Sequence, residues 1–290
     1  GTASVANYQA AMRSVTYHSP NEDLTETSAN RTITWAVTDA DSDGAGAAST
    51  TVSSTINITA VNDPPTAAHV PTLLTVTEDT SSPLDLSAII ATDPDSSTNN
   101  ITVKLKVTDG QLAVSGGGGV SVTGSNSAEM TLTGPVSNID SFFNTAATAS
   151  DAAAQIRYTG LADDNGYIAV ALTIVSNDDG FVGSGGGGNT LLGTVQIDIT
   201  AVNDAPSFVI RDSVDSSIDG RVSQAVAGGH QTVDDDAGEQ TVADWAVNFK
   251  PGPVTATDER GQGLRFDLST SSTDLFSPSG QPRIDIVGTR

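Results

Sequence analysis

Several features that many proteins rely on are missing from this chain of 290 residues. Cysteine is absent, so neither disulfide bonds nor thiol chemistry serves this protein. No stretch approaches the ~18 apolar residues that a membrane-spanning helix needs, and no basic-then-apolar signal opens the sequence. Because the sequence starts in the middle of a repeating pattern, we expect any export signal to lie upstream of it.

Basic residues are scarce. Lysine and arginine total 12 against 35 aspartates and glutamates, which gives a formal net charge of −23. Nucleic acids and anionic membrane surfaces both need basic side chains, so the sequence predicts neither as a partner and no direct membrane insertion. The acids either keep the chain soluble or bind hard cations such as Ca²⁺. Solubilising acids would be scattered, whereas metal ligands would cluster at turns.

Residues suited to catalysis are also few. A carboxylate pair for glycoside hydrolysis needs a pocket, usually with aromatic walls, but the chain has two Trp and four Tyr. Trp35 and Trp245 lie within or beside apolar runs, which favours core positions. The three histidines, His18, His69 and His230, show no spacing for a triad or a zinc site. We therefore predict that the chain is not an enzyme.

One eight-residue motif occurs twice, as Ile-Thr-Ala-Val-Asn-Asp-Pro-Pro at 58–65 and as Ile-Thr-Ala-Val-Asn-Asp-Ala-Pro at 199–206. Asn62 and Asn203 are 141 positions apart (203 minus 62). Each motif ends a run of alternating apolar and polar residues that is rich in β-branched side chains, which is typical of a half-buried strand. Asn-Asp-Pro ends such a strand, so the motif is the end of a strand followed by a linker. A fixed period indicates tandem structural units.

Other features recur in register with these linkers. Tyr17 lies 45 residues before Asn62, and Tyr158 lies 45 before Asn203 (62 minus 17, 203 minus 158). An acidic pair follows each tyrosine, and an acidic turn containing glycine follows a later apolar run. The segments 75–79 and 91–93 have their own counterparts at 232–236 and 256–258. The acids therefore cluster where apolar runs stop, as metal ligands would.

The period divides the chain into one complete repeat at 64–204, the C-terminal half of a repeat at 1–63 and the N-terminal half of a further one at 205–290. Short strands and frequent turns predict an all-β fold of β-sandwiches. The predicted elements include strands at 101–107 and 264–268 and short helices at 8–13 and 137–143. The terminal halves belong to a longer array, which we favour, or complete each other between chains by strand complementation.

Calcium suits such acidic loops, because it takes about six to eight oxygen ligands in irregular geometry. With acidic loops from both neighbours converging on a short linker, one ion could bridge two domains. Asp39, Asp41 and Asp43 look separately like the start of a helix-loop-helix calcium loop. That motif needs Glu at its twelfth position, where Thr50 stands, which leaves a local calcium loop or a plain acidic turn.

Val-Asn-Asp-Pro-Pro at 61–65 and Val-Asn-Asp-Ala-Pro at 202–206 resemble the interdomain linker of cadherins. Asp93-Pro-Asp95 resembles the cadherin motif that reaches back to the same joint. The whole chain resembles the cadherin-like tandem repeats of giant bacterial surface adhesins, especially the repeats-in-toxin class. The resemblance implies tandem Ig- or cadherin-like Greek-key β-sandwiches in a secreted, calcium-stiffened protein of cell adhesion and biofilm formation.

The resemblance also implies a set of metal ligands. At the first joint they are Asn62, Asp63, Asp93 and Asp95, with Glu22 and Asp23 from the preceding unit. At the second they are Asn203, Asp204 and Asp258, with Glu78, Asp79, Asp163 and Asp164. The linkers depart from the cadherin pattern, because Ala60 and Ala201 stand where it opens with Asp, and Pro64 and Ala205 replace a ligand Asn.

We thus predict a calcium-stiffened spacer of an extracellular bacterial adhesin, with Ca²⁺ as its cofactor. Its partners are neighbouring repeats of the same long chain, or like chains in a filament. Two alternatives remain open: a carbohydrate- or protein-binding module of a secreted protein, and a subunit of a surface filament. For the binding module, Arg211–His230 is the only segment distinctive enough to propose.

Overall fold

The computed structural model describes residues 3–20, 30–39, 43–96, 98–148, 154–180, 187–210 and 246–271. Contacts divide the chain into two units. The first holds residues 1–161 and 165–200, and the second holds residues 162–164 and 201–290. The predicted Glu22, Asp23 and Asp41 ligands and the Arg211–His230 segment lie outside the described residues.

Strands dominate the first unit. It begins with helix α1 (Val5–Met12) and the antiparallel hairpin of β1 (Asn30–Thr38) and β2 (Ser49–Asn57). The elements after the first linker are β3 (Thr66–Ala68), β4 (Leu73–Thr77), β5 (Ser82–Pro83), β6 (Ile90–Thr92), β7 (Asn100–Val107), β8 (Gln111–Ala113), β9 (Ser121–Thr123), β10 (Glu129–Pro135), α2 (Val136–Thr148), β11 (Arg157–Thr159), β12 (Gly166–Asn177) and β13 (Thr190–Thr200).

These strands form a six-stranded sheet in the order β4-β13-β12-β7-β10-β9 and a three-stranded sheet in the order β5-β11-β8. β4 runs parallel to β13, and the other pairs are antiparallel. β3 and β6 form a separate antiparallel pair. The Thr-rich and Val-rich sequences suit strands because β-branched side chains pack well on a pleated surface.

The two sheets enclose one hydrophobic core. On β7, Ile101, Val103 and Leu105 are buried and the alternate residues face outward, as the period of a half-buried strand requires. Leu112 and Tyr158 add buried side chains from the three-stranded sheet, and α2 contributes others, including Phe143. The prediction of an all-β sandwich is confirmed.

Both predicted helices are present, as α1 and as the longer α2. The predicted strand at 101–107 is also present, within β7. The predicted strand at 264–268 is wrong, because these residues form no strand. Leu264 and Leu268 stay 37% and 49% exposed, so alternation there buries neither face.

Burial is confined almost entirely to the middle of the chain. Apart from Ala256, every buried hydrophobic residue of the described part lies between Val76 and Ile199. The second unit contains β14 (Ser207–Ile210), β15 (Ala246–Lys250) and a 3-10 turn (Glu259–Gly261). There, Phe208, Phe249 and Phe266 contact one another with ring centroids 5.0–5.9 Å apart, although each is 42–49% exposed.

Leu172 on β12 is fully buried, which generates the first prediction. We expect Leu172→Ala to lower the free energy of unfolding by about 2–5 kcal/mol, because it leaves a cavity in the core. Leu191→Ala on the adjacent β13, where the side chain is 61% exposed, should change it by less than about 0.5 kcal/mol. Urea unfolding of both variants checks this, and equal losses would contradict the assigned core.

Candidate metal centre

Strand pairing holds the first linker, residues 62–65, beside a second turn. β3 starts directly after Pro65 and pairs with β6, so that Thr66 lies opposite Thr92. The hydroxyl oxygens of these two threonines are 2.9 Å apart. Because the pair is antiparallel, the linker that enters β3 and the turn that leaves β6 lie at the same end of the sandwich.

The turn after β6 is the Asp93-Pro-Asp95 segment. The carboxylate Oδ1 of Asp93 accepts hydrogen bonds from the backbone N–H groups of Asp95 at 3.0 Å and Ser96 at 3.2 Å. Asp140 on α2 accepts the N–H of Ala91 at 3.0 Å and so ties the end of β6 to the helix. Asx turns of this kind fix a local backbone, and here the Asp95 side chain ends up only 2% exposed.

Two buried carboxylates hold the linker. The backbone N–H of Asp63 donates to Oδ2 of Asp95. The side-chain amide of Asn62 donates to Oδ2 of Asp178 at 2.8 Å. Asp178 directly follows β12 and is 3% exposed, and its Oδ1 accepts the N–H of Gly180 at 3.0 Å. Both linker residues therefore make charge-assisted hydrogen bonds, which are stronger than neutral ones.

Several oxygens at this end of the sandwich have no hydrogen-bond partner although they are buried. They are Oδ2 of Asp93, Oδ1 of Asp95 and Oγ of Ser176. None of the salt bridges in the described ranges involves these aspartates or Asp178. Burial raises the pKa of the Asp93 carboxyl, and the negative charges of Asp178 and Asp95 raise it further, against the lowering effect of its backbone hydrogen bonds.

These residues fit a hard divalent cation. Buried carboxylates without a positive partner are costly, and a cation coordinated by these orphaned carboxylate oxygens would remove that cost. Carboxylate, hydroxyl and carbonyl oxygens are the ligands that Ca²⁺ prefers, and irregular loops suit its tolerant geometry. We therefore name Asp93, Asp95 and Asp178 as the residues that would hold the ion, with Ser176 beside them.

The second linker repeats this arrangement within the second unit. Its Asp204 N–H donates to Oε1 of Glu259, as the Asp63 N–H donates to Asp95. The Asn203 amide donates to the Asp204 carbonyl at 3.0 Å, and the Asn62 amide makes the same bond to Asp63 at 3.4 Å. The two copies of the motif therefore form the same two kinds of hydrogen bond at their linkers.

The side chain of Glu259 is tightly enclosed by the protein. It is 1% exposed, its Oε2 is buried without a hydrogen-bond partner, and a Cβ added to Gly252 would overlap that oxygen. Carboxylate oxygens of Asp163 and Asp204 lie within 4.8 Å of each other. The hydroxyl of Thr255 donates to Asp163. The second unit thus also combines an orphaned buried carboxylate oxygen with nearby acids.

Four further predicted ligands differ in burial. Glu78 is buried and accepts the Asn165 amide at 2.8 Å, Asp79 is exposed in a left-handed backbone conformation, and Asp164 is half-buried. Asp258 is exposed. The ligand roles of these residues stay predictions.

Asp39 and Asp43 close the hairpin loop between β1 and β2. Asp39 accepts the N–H of Ala48 at 3.0 Å, and Asp43 accepts the N–H of Ala45 at 3.1 Å. These contacts account for both acids without an ion, so a calcium loop there stays a prediction.

Sequence reasoning did not select Asp178 or Glu259. A signal existed for Asp178, because it lies in the acidic turn at 177–180 that recurs in register with the turn at 39–44. Glu259 directly follows Asp258, which was aligned with Asp93. The buried carboxylate therefore comes one residue after the aligned aspartate in the second unit, and two residues after it in the first.

No family model and no curated protein matches this chain. Solved structures that resemble it are the protocadherin gamma B2 extracellular cadherin domains 3–6 (16% identity, TM-score 0.29, 62% of this chain and 35% of that chain). Others are the protocadherin gammaB7 EC3-6 cis-dimer (16%, 0.29, 68% and 37%) and the protocadherin gammaB4 extracellular domain (18%, 0.27, 62% and 23%). The alignments thus span 23–37% of those chains.

No described helix is long and apolar enough to cross a membrane.

The raised pKa of Asp93 generates a prediction for the metal-free protein. The folded state binds this proton more tightly than the unfolded chain, so the stabilisation is full below the unfolded pKa and is lost as pH rises through the folded pKa. Asp93→Asn keeps an oxygen for the two N–H donors but cannot ionise. In chelator, we expect its stability relative to wild type to increase between about pH 3 and about pH 7.

Thermal melts of both proteins across that range check this expectation. Asp179→Asn is the control, because Asp179 is exposed in the turn after β12 and its substitution removes the same amount of charge. A difference between Asp93→Asn and wild type that does not change with pH would contradict the assigned environment of Asp93.

Proposed function

We propose that this chain is a calcium-stiffened spacer segment of an extracellular bacterial adhesin. The observation that carries the proposal is the pair of buried carboxylates, Asp95 and Asp178, that hold the first linker while oxygens of Asp93 and Asp95 lack partners. A binding site built on the linker itself links cation binding to the conformation of the joint. The resemblance of the two linker motifs to the cadherin linker supports the same proposal.

The linker contacts explain how an ion would act. Without a cation, the charges of Asp93, Asp95 and Asp178 oppose one another. If Asp95 or Asp178 turns towards water, a linker hydrogen bond is released. Calcium supplies positive charge that holds these carboxylates together. The amide of Asn62 and the N–H of Asp63 then keep their acceptors, so the joint stays in one conformation.

The domain boundaries belong to the same proposal, with a complete repeat at 64–204 between half repeats at 1–63 and 205–290. Val15 and Tyr17 are 56% and 45% exposed, whereas Ile156 and Tyr158, their counterparts one period later, are each 1% exposed. None of the described residues between 3 and 60 is buried. This difference in burial supports the proposed boundaries, because the core lies within 64–204 and the described residues of the preceding segment contribute no buried side chain.

Excision tests these boundaries. Residues 64–204 expressed alone should unfold cooperatively, with a melting temperature within a few degrees of the main transition of the full chain in the same buffer. The core from Val76 to Ile199 is contained in that segment, which is the reason for this expectation. Failure of the segment to fold, as judged by circular dichroism and amide-proton dispersion, would contradict the boundaries.

Calcium titration tests the proposed function. At a calcium concentration 100 times the dissociation constant, we expect the free energy of unfolding to rise by about 2.7 kcal/mol per site. Asp95→Asn and Asp178→Asn should each weaken binding by about tenfold or more, because Ca²⁺ affinity depends on the number of charged ligands. Isothermal calorimetry measures the affinity, and small-angle scattering measures the expected increase in maximum dimension with calcium.

Asp179→Asn is again the matched control, and it should bind calcium like wild type because its side chain is exposed. Identical melting and scattering profiles in calcium and in chelator would contradict the proposed function. So would variants of Asp95 and Asp178 that lose no more affinity than the control does.

A further inference from the structure

A solvent-open cavity of about 500 Å³ is lined by residues of β8 and β11 and by neighbouring loop residues. Its size falls in the range of ligand pockets, roughly 300–1,000 Å³. Arg157 on β11 and Ala113 on β8 are paired across the sheet at its wall. The residues that line it are Ser81, Ala113, Val114, Ser115, Ser125, Asn126 and Arg157.

The charge of this cavity is opposite to that of the chain. Its lining holds one cation, Arg157, and no acid, although acids outnumber bases 35 to 12 in the sequence. Arg157 takes part in none of the salt bridges of the described part. A half-buried guanidinium without a carboxylate partner attracts an anionic group from outside.

The guanidinium of Arg157 is held in a fixed orientation. Its Nε donates to Oγ of Ser81 at 3.1 Å, its Nη2 donates to the Ser81 carbonyl, and its Nη1 donates to the Gln155 amide oxygen. A guanidinium has five N–H donors, so these three bonds leave two for a ligand. A fixed arginine fork favours bidentate binding to carboxylate or sulfate oxygens.

The pattern shared by the two copies does not require an arginine at this place. Thr16 stands 141 positions before Arg157, directly before Tyr17 as Arg157 directly precedes Tyr158. Buried Tyr158 belongs to the shared pattern, whereas the arginine belongs to the complete repeat alone. The arginine is therefore specific to the complete repeat, where it holds Ser81 and Gln155 and has two further N–H groups for a ligand.

Polar groups around the arginine suit a sugar. Ser125 is used by the fold, because its hydroxyl accepts the N–H of Val114 at 3.1 Å and donates to its carbonyl at 3.0 Å. Ser115 and Asn126 are exposed at the cavity, and none of the described hydrogen bonds uses their side chains. A hydroxyl and an amide there can bind sugar hydroxyls, which both donate and accept.

We propose that this cavity binds an acidic saccharide, with Arg157 contacting its carboxylate or sulfate and with Ser115 and Asn126 contacting its hydroxyls. The site lies on the sandwich itself, so the segment takes part in recognition as well as in spacing. The inference goes beyond the spacer function and does not depend on calcium at the linkers.

The experiment compares an oligogalacturonate, a chondroitin sulfate oligosaccharide and a neutral cello-oligosaccharide of similar length, at fixed calcium, with the full chain in microcalorimetry. The uronate and sulfate arms distinguish which anion is preferred. We expect at least one acidic saccharide to bind, with at least tenfold weaker binding by Arg157→Thr. That substitution places in the complete repeat the residue that the first copy carries.

Ser115→Phe provides a second variant, because it fills the cavity and leaves the Arg157 contacts intact. It should also lose binding, whereas Arg13→Gln, at the exposed end of α1, should bind like wild type. Melting curves show that each variant is folded. No binding of either acidic saccharide, equal binding of the neutral one, or wild-type affinity in folded Arg157→Thr would each overturn the proposal, whatever the effect of calcium on stability.

Discussion

The hydrogen bond from the backbone of a linker aspartate to a buried carboxylate is the contact on which the rest of the account depends. Asp63 makes it to Asp95, and Asp204 makes it to Glu259. Each acceptor is almost completely buried and keeps a second oxygen without a partner. Burying a carboxylate in this position costs free energy at each of the two linkers. A bound cation would remove that desolvation cost.

This contact ties the fold to the proposed function. The β3–β6 pair brings the linker to the turn after β6, and the end of β12 brings Asp178 to the same place. The core keeps these strand ends in position, because α2 and the two sheets pack against each other. The loops therefore carry the chemistry, and the sandwich fixes the distances between them.

The sequence was sufficient to predict the sandwich, because the alternation in β7 and β13 is strong and both faces of each strand are distinct. It also located the linkers, which recur 141 positions apart, and Asp93-Pro-Asp95, which resembles a cadherin motif. It did not identify Glu259, since whether Asp258 or Glu259 turns inward depends on the local 3-10 turn and on the space at Gly252. The strand at 264–268 was predicted wrongly, because period alone does not supply a face to bury.

The Arg157 cavity shows the same limit in another form. Its residues come from four separate segments of the chain, which the pairing of β11 with β5 and β8 and the hydrogen bonds of Ser125 to Val114 bring together. Comparison of the two copies could have drawn attention to the exchange of Thr16 for Arg157. The lining, and the lack of an acid in it, needed the three-dimensional structure.

The most direct measurement of the central claim is anomalous scattering from crystals of this chain grown with and without calcium. The account predicts an anomalous peak in the calcium crystals that is bound by oxygens of Asp93, Asp95 and Asp178 at about 2.3–2.6 Å, and no peak there in chelator. Side chains of these three residues turned into solvent, with no peak between them at millimolar calcium, would contradict it.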